Sequence, residues 1–218
     1  MSEPSAFDED VPVIMPVGKS LGANFAADAE TGDEPLSYEI HLGENVEDLT
    51  RDEWTVWALA HERLYAHRLH GFTRMALSVV VEDKAGLGGR GDAVIDDLVA
   101  RRVLASVDLH GPRRDDFLKT HRLIPTAMGL GGRAGEPGRR WMALNGETVL
   151  DVDQVAYSVW AFSYLDGSIW RGSEEYRAPK GVEPDFPDAF TLEEILSAVA
   201  ADLPAIVASG CGYLEPLP

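Results

Sequence analysis

The chain has 218 residues, 45% of them apolar and 26% charged, with 37 acidic side chains against 19 basic ones and a formal net charge of −18. This balance supports a real core and excludes general disorder, and a single cysteine, Cys211, excludes a scaffold stapled by internal disulfides. The acidic excess sits in the flanks: residues 1–50 carry −11, 51–89 balance, 90–140 carry +3 and 141–218 carry −10. The flanks read as solvated faces or as a docking surface for a basic partner, and only the middle would attract a polyanion.

Residues 1–12 hold four acids and no base, the opposite of a secretory start, and read as a tail. The longest apolar stretch, 195–208, is interrupted by Asp202 and Pro204, so no membrane span is expected and the default location is cytoplasmic. Residues 13–17 suit an edge strand, because Pro16 has no N–H to give a central ladder. Residues 28–35 form a polar loop, and the tail, edge strand and loop together make up residues 1–36. Residues 38–42 alternate as a strand, Gly43-Glu44-Asn45 turns, and 46–49 continues. Thr50 is then an N-cap with Glu53 completing a capping box, opening a helix that carries Trp54, Trp57, Leu59 and Leu64.

The same pattern returns 103 residues later, as Gly43-Glu44-Asn45-Val46 is matched by Gly146-Glu147-Thr148-Val149. Leu49-Thr50 corresponds to Val152-Asp153, an apolar residue followed by an N-cap in both cases. Trp54-Thr55-Val56-Trp57-Ala58-Leu59 corresponds to Tyr157-Ser158-Val159-Trp160-Ala161-Phe162. An ungapped match across turn, strand, cap and helix points to an internal duplication. After the first copy, 72–81 suits a helix or a strand, followed by a Gly-rich loop, a helix at 92–102 and a strand at 104–109. After the second come a Pro- and Gly-rich insertion at 177–187, a helix capped by Thr191 with Glu194, and a short apolar end, Tyr213-Leu214. The expected fold is α+β: two winged-helix-like units at 37–110 and 140–218, with 111–139 joining them.

Gly146-Glu147-Thr148-Val149-Leu150-Asp151-Val152, then Val159-Trp160, then Leu165-Asp166-Gly167, resembles the small peptide-recognition domains of ribosomal-peptide maturation, of the pyrroloquinoline quinone precursor chaperone type. The resemblance implies a β-hairpin before three helices, and a leader peptide bound as an added strand against the last strand and third helix. Carried onto this chain, it makes Val46 and Leu49, or Val149 and Val152, the strand edge. The adjoining pockets would be Leu98 and Val99, or Leu196 and Val199, with Arg101 and Arg102 holding acidic residues of the peptide. The function expected is a non-catalytic adaptor for a peptide or partner protein, without cofactor or metal. The alternative is a winged-helix DNA-binding regulator using helix 92–102, with Arg113 and Arg114 as a wing.

Other motifs read as structure. Gly86-Leu87-Gly88-Gly89-Arg90-Gly91 fits a dinucleotide fingerprint in letters, yet Glu82 and Asp83 precede it and similar wording recurs at 129–135, so a flexible loop is the better reading. His67 and His70 have ligand spacing without a third partner, and His61 precedes them on the same extension. Cys211 lies between glycines without a basic neighbour, the pairs Asp115-Asp116 and Glu174-Glu175 point apart, and Arg90-Gly91-Asp92 reads as accidental.

Overall fold

The computed structural model describes residues 11–26, 34–61, 72–177 and 190–218. The chain opens with β1 (Val13–Pro16), β2 (Lys19–Asn24), β3 (Ser37–Leu42), β4 (Asn45–Leu49) and α1 (Arg51–Leu59). It continues through β5 (Phe72–Thr73), α2 (Arg74–Ala85), α3 (Gly91–Ala100) and β6 (Leu104–Val107). Thr50 starts α1 with a complete capping box: its hydroxyl accepts from the Glu53 amide, and its own amide donates to Glu53 Oε2 at 2.6 Å. Thr73 caps the next helix by accepting from the Ala76 amide. That cap, with Leu77 and Val81 buried four residues apart, makes 74–85 helical despite its run of valines.

β2, β3 and β4 form an antiparallel meander, and β1 lies between β5 and β6. The expected edge position of 13–17 is thus corrected to a central one. The proline rule still holds locally: β5 reaches only Val13 and Ile14, and Pro16 faces Leu104 of β6 alone.

The second half runs from α4 (Arg114–Thr120) into β7 (His121–Pro125), β8 (Met128–Gly131), β9 (Arg139–Leu144), β10 (Glu147–Asp153) and α5 (Gln154–Phe162). A single 3₁₀ turn at Ser163–Leu165 leads to α6 (Ile169–Arg177), α7 (Leu192–Ala208) and β11 (Gly212–Pro216). Asn145 and Gly146 turn β9 into β10 with φ of 52° and 84°, the paired positive values of a tight hairpin. Residues 111–139, expected to join two units, contain α4, β7 and β8. β7 pairs with β11 and β8 with β9, so both strands belong to the second half's sheets.

Apart from β5 in the first half and α4 in the second, the two halves share an order: a strand, a three-stranded meander, a helix, two further helices, and a strand that returns to pair with the first. The returning strands also share a register. Pro16, Met15 and Ile14 face Leu104, Ala105 and Ser106, while Pro125, Ile124 and Leu123 face Gly212, Tyr213 and Leu214. In both meanders the first pairing slips, between Ser20 and Gly22 and between Gly129 and Gly131, with Gly22 and Gly131 at positive φ. Two indoles hold the crossing: Trp57 Nε1 donates to Val17 O at 3.0 Å, and Trp160 Nε1 donates to Cys211 O at 2.9 Å.

One apolar cluster runs through both halves and includes Ile14, Leu98 and Leu104 as well as Leu123, Ile206 and Leu214. The halves join where Val17 bridges Leu214 in parallel and the Gly18 amide donates to Leu214 O at 2.7 Å. A Cβ at Gly18 (φ 87°) would stand 2.6 Å from His41 O, so only glycine fits there. Beside this seam the buried Glu215 carboxylate accepts from Arg122, and His41 Nδ1 lies 3.9 Å from its other oxygen. Among the described residues no helix is long and apolar enough to cross a membrane.

Candidate functional site

β4 ends the first meander, and its register with β3 runs without a shift from Leu42–Asn45 to Tyr38–Leu49. The two-residue turn makes Leu42–Asn45 a hydrogen-bonded pair, and bonded and non-bonded pairs then alternate. Val46 and Asp48 consequently turn their amides and carbonyls away from β3. Val46 is 52% exposed. Among the described residues, one side chain reaches these outward groups: Arg101, just past α3, donates from Nη2 to Asp48 O at 3.1 Å.

The same guanidinium meets Glu53 Oε1 at 2.7 Å, Asp97 Oδ2 at 3.2 Å and Glu47 Oε2 at 3.2 Å. Burial pulls the Arg101 guanidinium towards losing its proton, but bonds to Asp97 and Glu47 and the charge of Glu53 more than offset this and hold it above the ordinary arginine value. Arg101 therefore ties the end of α3 to the cap of α1 and to the free edge of β4.

β10 ends the second meander, and its edge is closed differently. The register slips between Thr148 and Leu150, which leaves Val149 in a bulge. The Asp153 amide donates to Asp202 Oδ2 of α7 at 2.7 Å, and Arg139 donates to Asp151 O at 2.8 Å and to its carboxylate at 2.8 Å. Burial raises the Asp202 carboxyl above the ordinary carboxylate range, opposed by the Asp153 amide and by Arg139. A bulge and capped edge groups are how sheets prevent further pairing.

Several residues expected in a peptide groove lie elsewhere. Leu49, Leu98, Val152, Leu196 and Val199 are buried core residues, so their side chains pack the interior and do not line a surface groove. Val99 and Val149 are half-buried, and Arg102 is exposed with φ of 61°, in the left-handed turn between α3 and β6. In the second half, other residues than Leu196 and Val199 hold the place that Leu98 and Val99 hold before the returning strand. Val103 N donates to Leu98 O and Cys211 N to Ile206 O, while Arg102 N donates to Val99 O and Gly210 N to Val207 O. Leu98, Val99, Arg101 and Arg102 therefore correspond to Ile206, Val207, Ser209 and Gly210, whereas Leu196 and Val199 lie nearer the start of α7.

The remaining motifs take structural partners. Gly86 ends α2 in the left-handed region, so a helix precedes the Gly-rich loop, and the Gly89 amide donates to Glu82 Oε2. A dinucleotide fingerprint needs a strand there. Of the expected wing, Arg113 is exposed, but Arg114 is buried and donates to both oxygens of Glu193, at 2.8 and 2.7 Å, and to Asp115. The Arg114 hydrogen bond holds the Glu193 carboxyl below its usual range.

Arg90 pairs with Asp52, and Asp92 accepts from Arg74 and Ser78. His61 Nδ1 lies 3.1 Å from Trp57 O, and burial pushes its imidazole pKa down. His67 and His70 lie outside the described residues, among which no cluster of three ligating side chains could hold a metal. Cys211 is buried.

A groove of about 550 Å³ opens between α5 and α6, lined by Val159, Phe162, Leu165, Asp166 and Tyr176, with Phe162 and Leu165 exposed at its rim. Sequence reading did not single it out, because nothing in the spacing of these residues separates a groove from a core face. No protein-family model, curated protein or solved structure matches this chain.

Proposed function

We propose that the protein is a non-catalytic adaptor that binds a peptide or partner protein by strand addition, and that its halves are copies of one winged-helix-like unit resembling the peptide-recognition domains of ribosomal-peptide maturation. The observation carrying this reading is the regular edge of β4, where Val46 turns its backbone groups outward beside the Arg101 end of α3. Extended peptides add to such edges through main-chain hydrogen bonds. Descent from one unit is supported by the common element order and the matched registers of first and last strands; Trp57 and Trp160 both donate where those strands meet, though to opposite strands, Val17 O beside the first and Cys211 O beside the last. In the form closest to the resemblance, the bound segment is a precursor peptide presented to a separate enzyme.

Selection of binders from a random displayed peptide library tests the reading. Proline at position 46 removes an outward N–H and spares the β3 ladder, so Val46→Pro is expected to weaken selected binders at least about tenfold. Binders indifferent to both Val46→Pro and Val149→Pro would remove strand addition. Duplex DNA retained at low salt and released by Arg101→Ala would favour the regulator reading instead.

A further inference from the structure

Resting on the strand-addition reading, we infer that the β4 edge takes a cationic extended peptide, and that Arg101 is a displaceable latch on that edge. On one face of the sheet Glu39 and Asp48 stand directly opposite each other as a non-hydrogen-bonded pair. That is the closest cross-strand spacing a sheet offers, and like charges there repel. Their partners among the described residues are neutral: Asn24 Nδ2 reaches Glu39 Oε1 at 3.2 Å and Ser37 Oγ reaches Asp48 Oδ1 at 2.8 Å. On the other face Glu47, Glu53 and Asp97 converge on the single Arg101 guanidinium, three carboxylates for one cation.

A strand laid against β4 sends alternate side chains to these two faces, and both present net negative charge. Lysine or arginine on the incoming strand relieves the repulsion; aspartate or glutamate adds to it. The expectation that Arg101 would hold acidic residues of a peptide is therefore reversed, because this chain's own carboxylates already surround it.

Arg101 also stands where an added strand would place a donor. Its Nη2 occupies Asp48 O at 3.1 Å, as a peptide amide would, and its side chain is 30% exposed. An arriving strand supplies its own N–H to that carbonyl, and its cationic side chains take over carboxylates that Arg101 gives up. Among the described residues nothing covers the Val46 amide and carbonyl, which gives a strand its first foothold.

Three labelled synthetic peptides of about ten residues, alternating threonine with lysine, glutamine or glutamate, are titrated against the full chain by fluorescence anisotropy. The lysine peptide is expected to bind at least about tenfold tighter than the glutamine peptide, with the margin shrinking as salt rises, and the glutamate peptide not to bind. Hydrogen exchange should show the Val46 and Asp48 amides protected by the lysine peptide, a readout that does not depend on a proline variant folding. Arg101→Gln opens Asp48 O and removes a competing cation, so it should tighten the lysine peptide about three- to tenfold, while Val149→Pro leaves binding within about twofold. Glutamine or glutamate peptides that bind as tightly as lysine, with the same two amides protected, would overturn the cationic inference and leave the adaptor reading standing. Looser lysine-peptide binding in folded Arg101→Gln would overturn the latch. If none of the three binds and neither amide gains protection, the inference falls together with the β4 site.

Discussion

The first and second halves run the chain along the same path but finish their sheets in opposite ways. β4 keeps a regular edge touched, among the described residues, only by Arg101, whereas β10 carries a bulge at Val149, an amide capped by Asp202 and a carbonyl held by Arg139. Asp202 comes from α7, a helix of 17 residues against 10 in α3, which packs on β10 as well as on β1. Counted back from Cys211 and Val103, the residue equivalent to Asp202 is Val94, which has no carboxylate to offer an edge. What the halves share is therefore backbone path, and what separates them is the chemistry at one strand edge and the strand to which each tryptophan donates. The proposed binding role falls to the half whose edge is left open among the described residues.

The largest expected effects test the two indole anchors. Trp57→Ala and Trp160→Ala should each cost about 3–5 kcal/mol in denaturant unfolding, the range for deleting a buried indole. Phenylalanine then separates the halves. Cys211 O also accepts the Thr126 amide at 3.1 Å, so Trp160→Phe leaves it partnered, whereas Trp57→Phe removes the indole donor from Val17 O. Trp57→Phe should cost about 1–3 kcal/mol and Trp160→Phe about 1 kcal/mol or less beyond any change in packing. Equal costs would mean that the indole bonds do not distinguish the halves.

Next in size is Gly18→Ala, which forces a Cβ to 2.6 Å from His41 O and should destabilise by about 1–3 kcal/mol. The second half has Ala127 at the equivalent place, without a positive φ, so Ala127→Gly should cost about 1 kcal/mol or less.

Sequence reading recovered what is local. The Thr50 and Thr191 capping boxes, the Asp153 cap and both hairpins follow from a few adjacent residues, and each forms as expected. Pairing of β1 with β6 and of β7 with β11 was not legible, because those partners lie about 90 residues apart and a short apolar run carries no address. A signal did exist: Pro16, Leu21 and Gly22 match Pro125, Leu130 and Gly131. It is displaced from the hairpin match, since Gly22 to Gly43 spans 21 positions and Gly131 to Gly146 only 15. An ungapped comparison loses it there. At the candidate site, alternation marked Val46 as an edge residue, but it could not tell whether Leu49 and Leu98 face a groove or the core. Arg101's partners at Glu47, Asp48 and Glu53 lie about 50 residues upstream, beyond any local pattern.

A smaller effect sharpens the comparison at the turn before the returning strand. Arg102 and Gly210 hold equivalent left-handed positions, with φ of 61° and 72°. A non-glycine residue in that region carries about 1–2 kcal/mol of strain, partly offset by the lower chain entropy it brings to the unfolded state. Arg102→Gly should therefore stabilise by about 0.5–1 kcal/mol and Gly210→Ala should destabilise by about 1 kcal/mol, read from thermal midpoints.

The finest distinction is the direction of a pH slope: Asp202 on α7 is raised by burial, whereas Asp92 on α3 is held below its ordinary value by hydrogen bonds from Ser78 and Arg74. Burial raises Asp202 above its ordinary value of 3.8, so in the window above 3.8 the folded chain holds a proton that the unfolded chain has released. Stability then falls as pH climbs from the ordinary value through the raised one, and the loss is complete once Asp202 has ionised in the fold. Asp202→Asn keeps an oxygen to accept the Asp153 amide and removes the titration, so its stability relative to the parent should increase across that window. Glu193, held down by Arg114 from its ordinary 4.5, works with the opposite sign: its contribution is present above 4.5 and is lost as pH falls through the depressed value. Glu193→Gln should lose stability relative to the parent at neutral pH and recover it in acid. Unfolding of the parent and both variants between about pH 3 and 7 separates the two slopes. Parallel curves for Asp202→Asn and the parent would show that capping the second edge carries no buried charge.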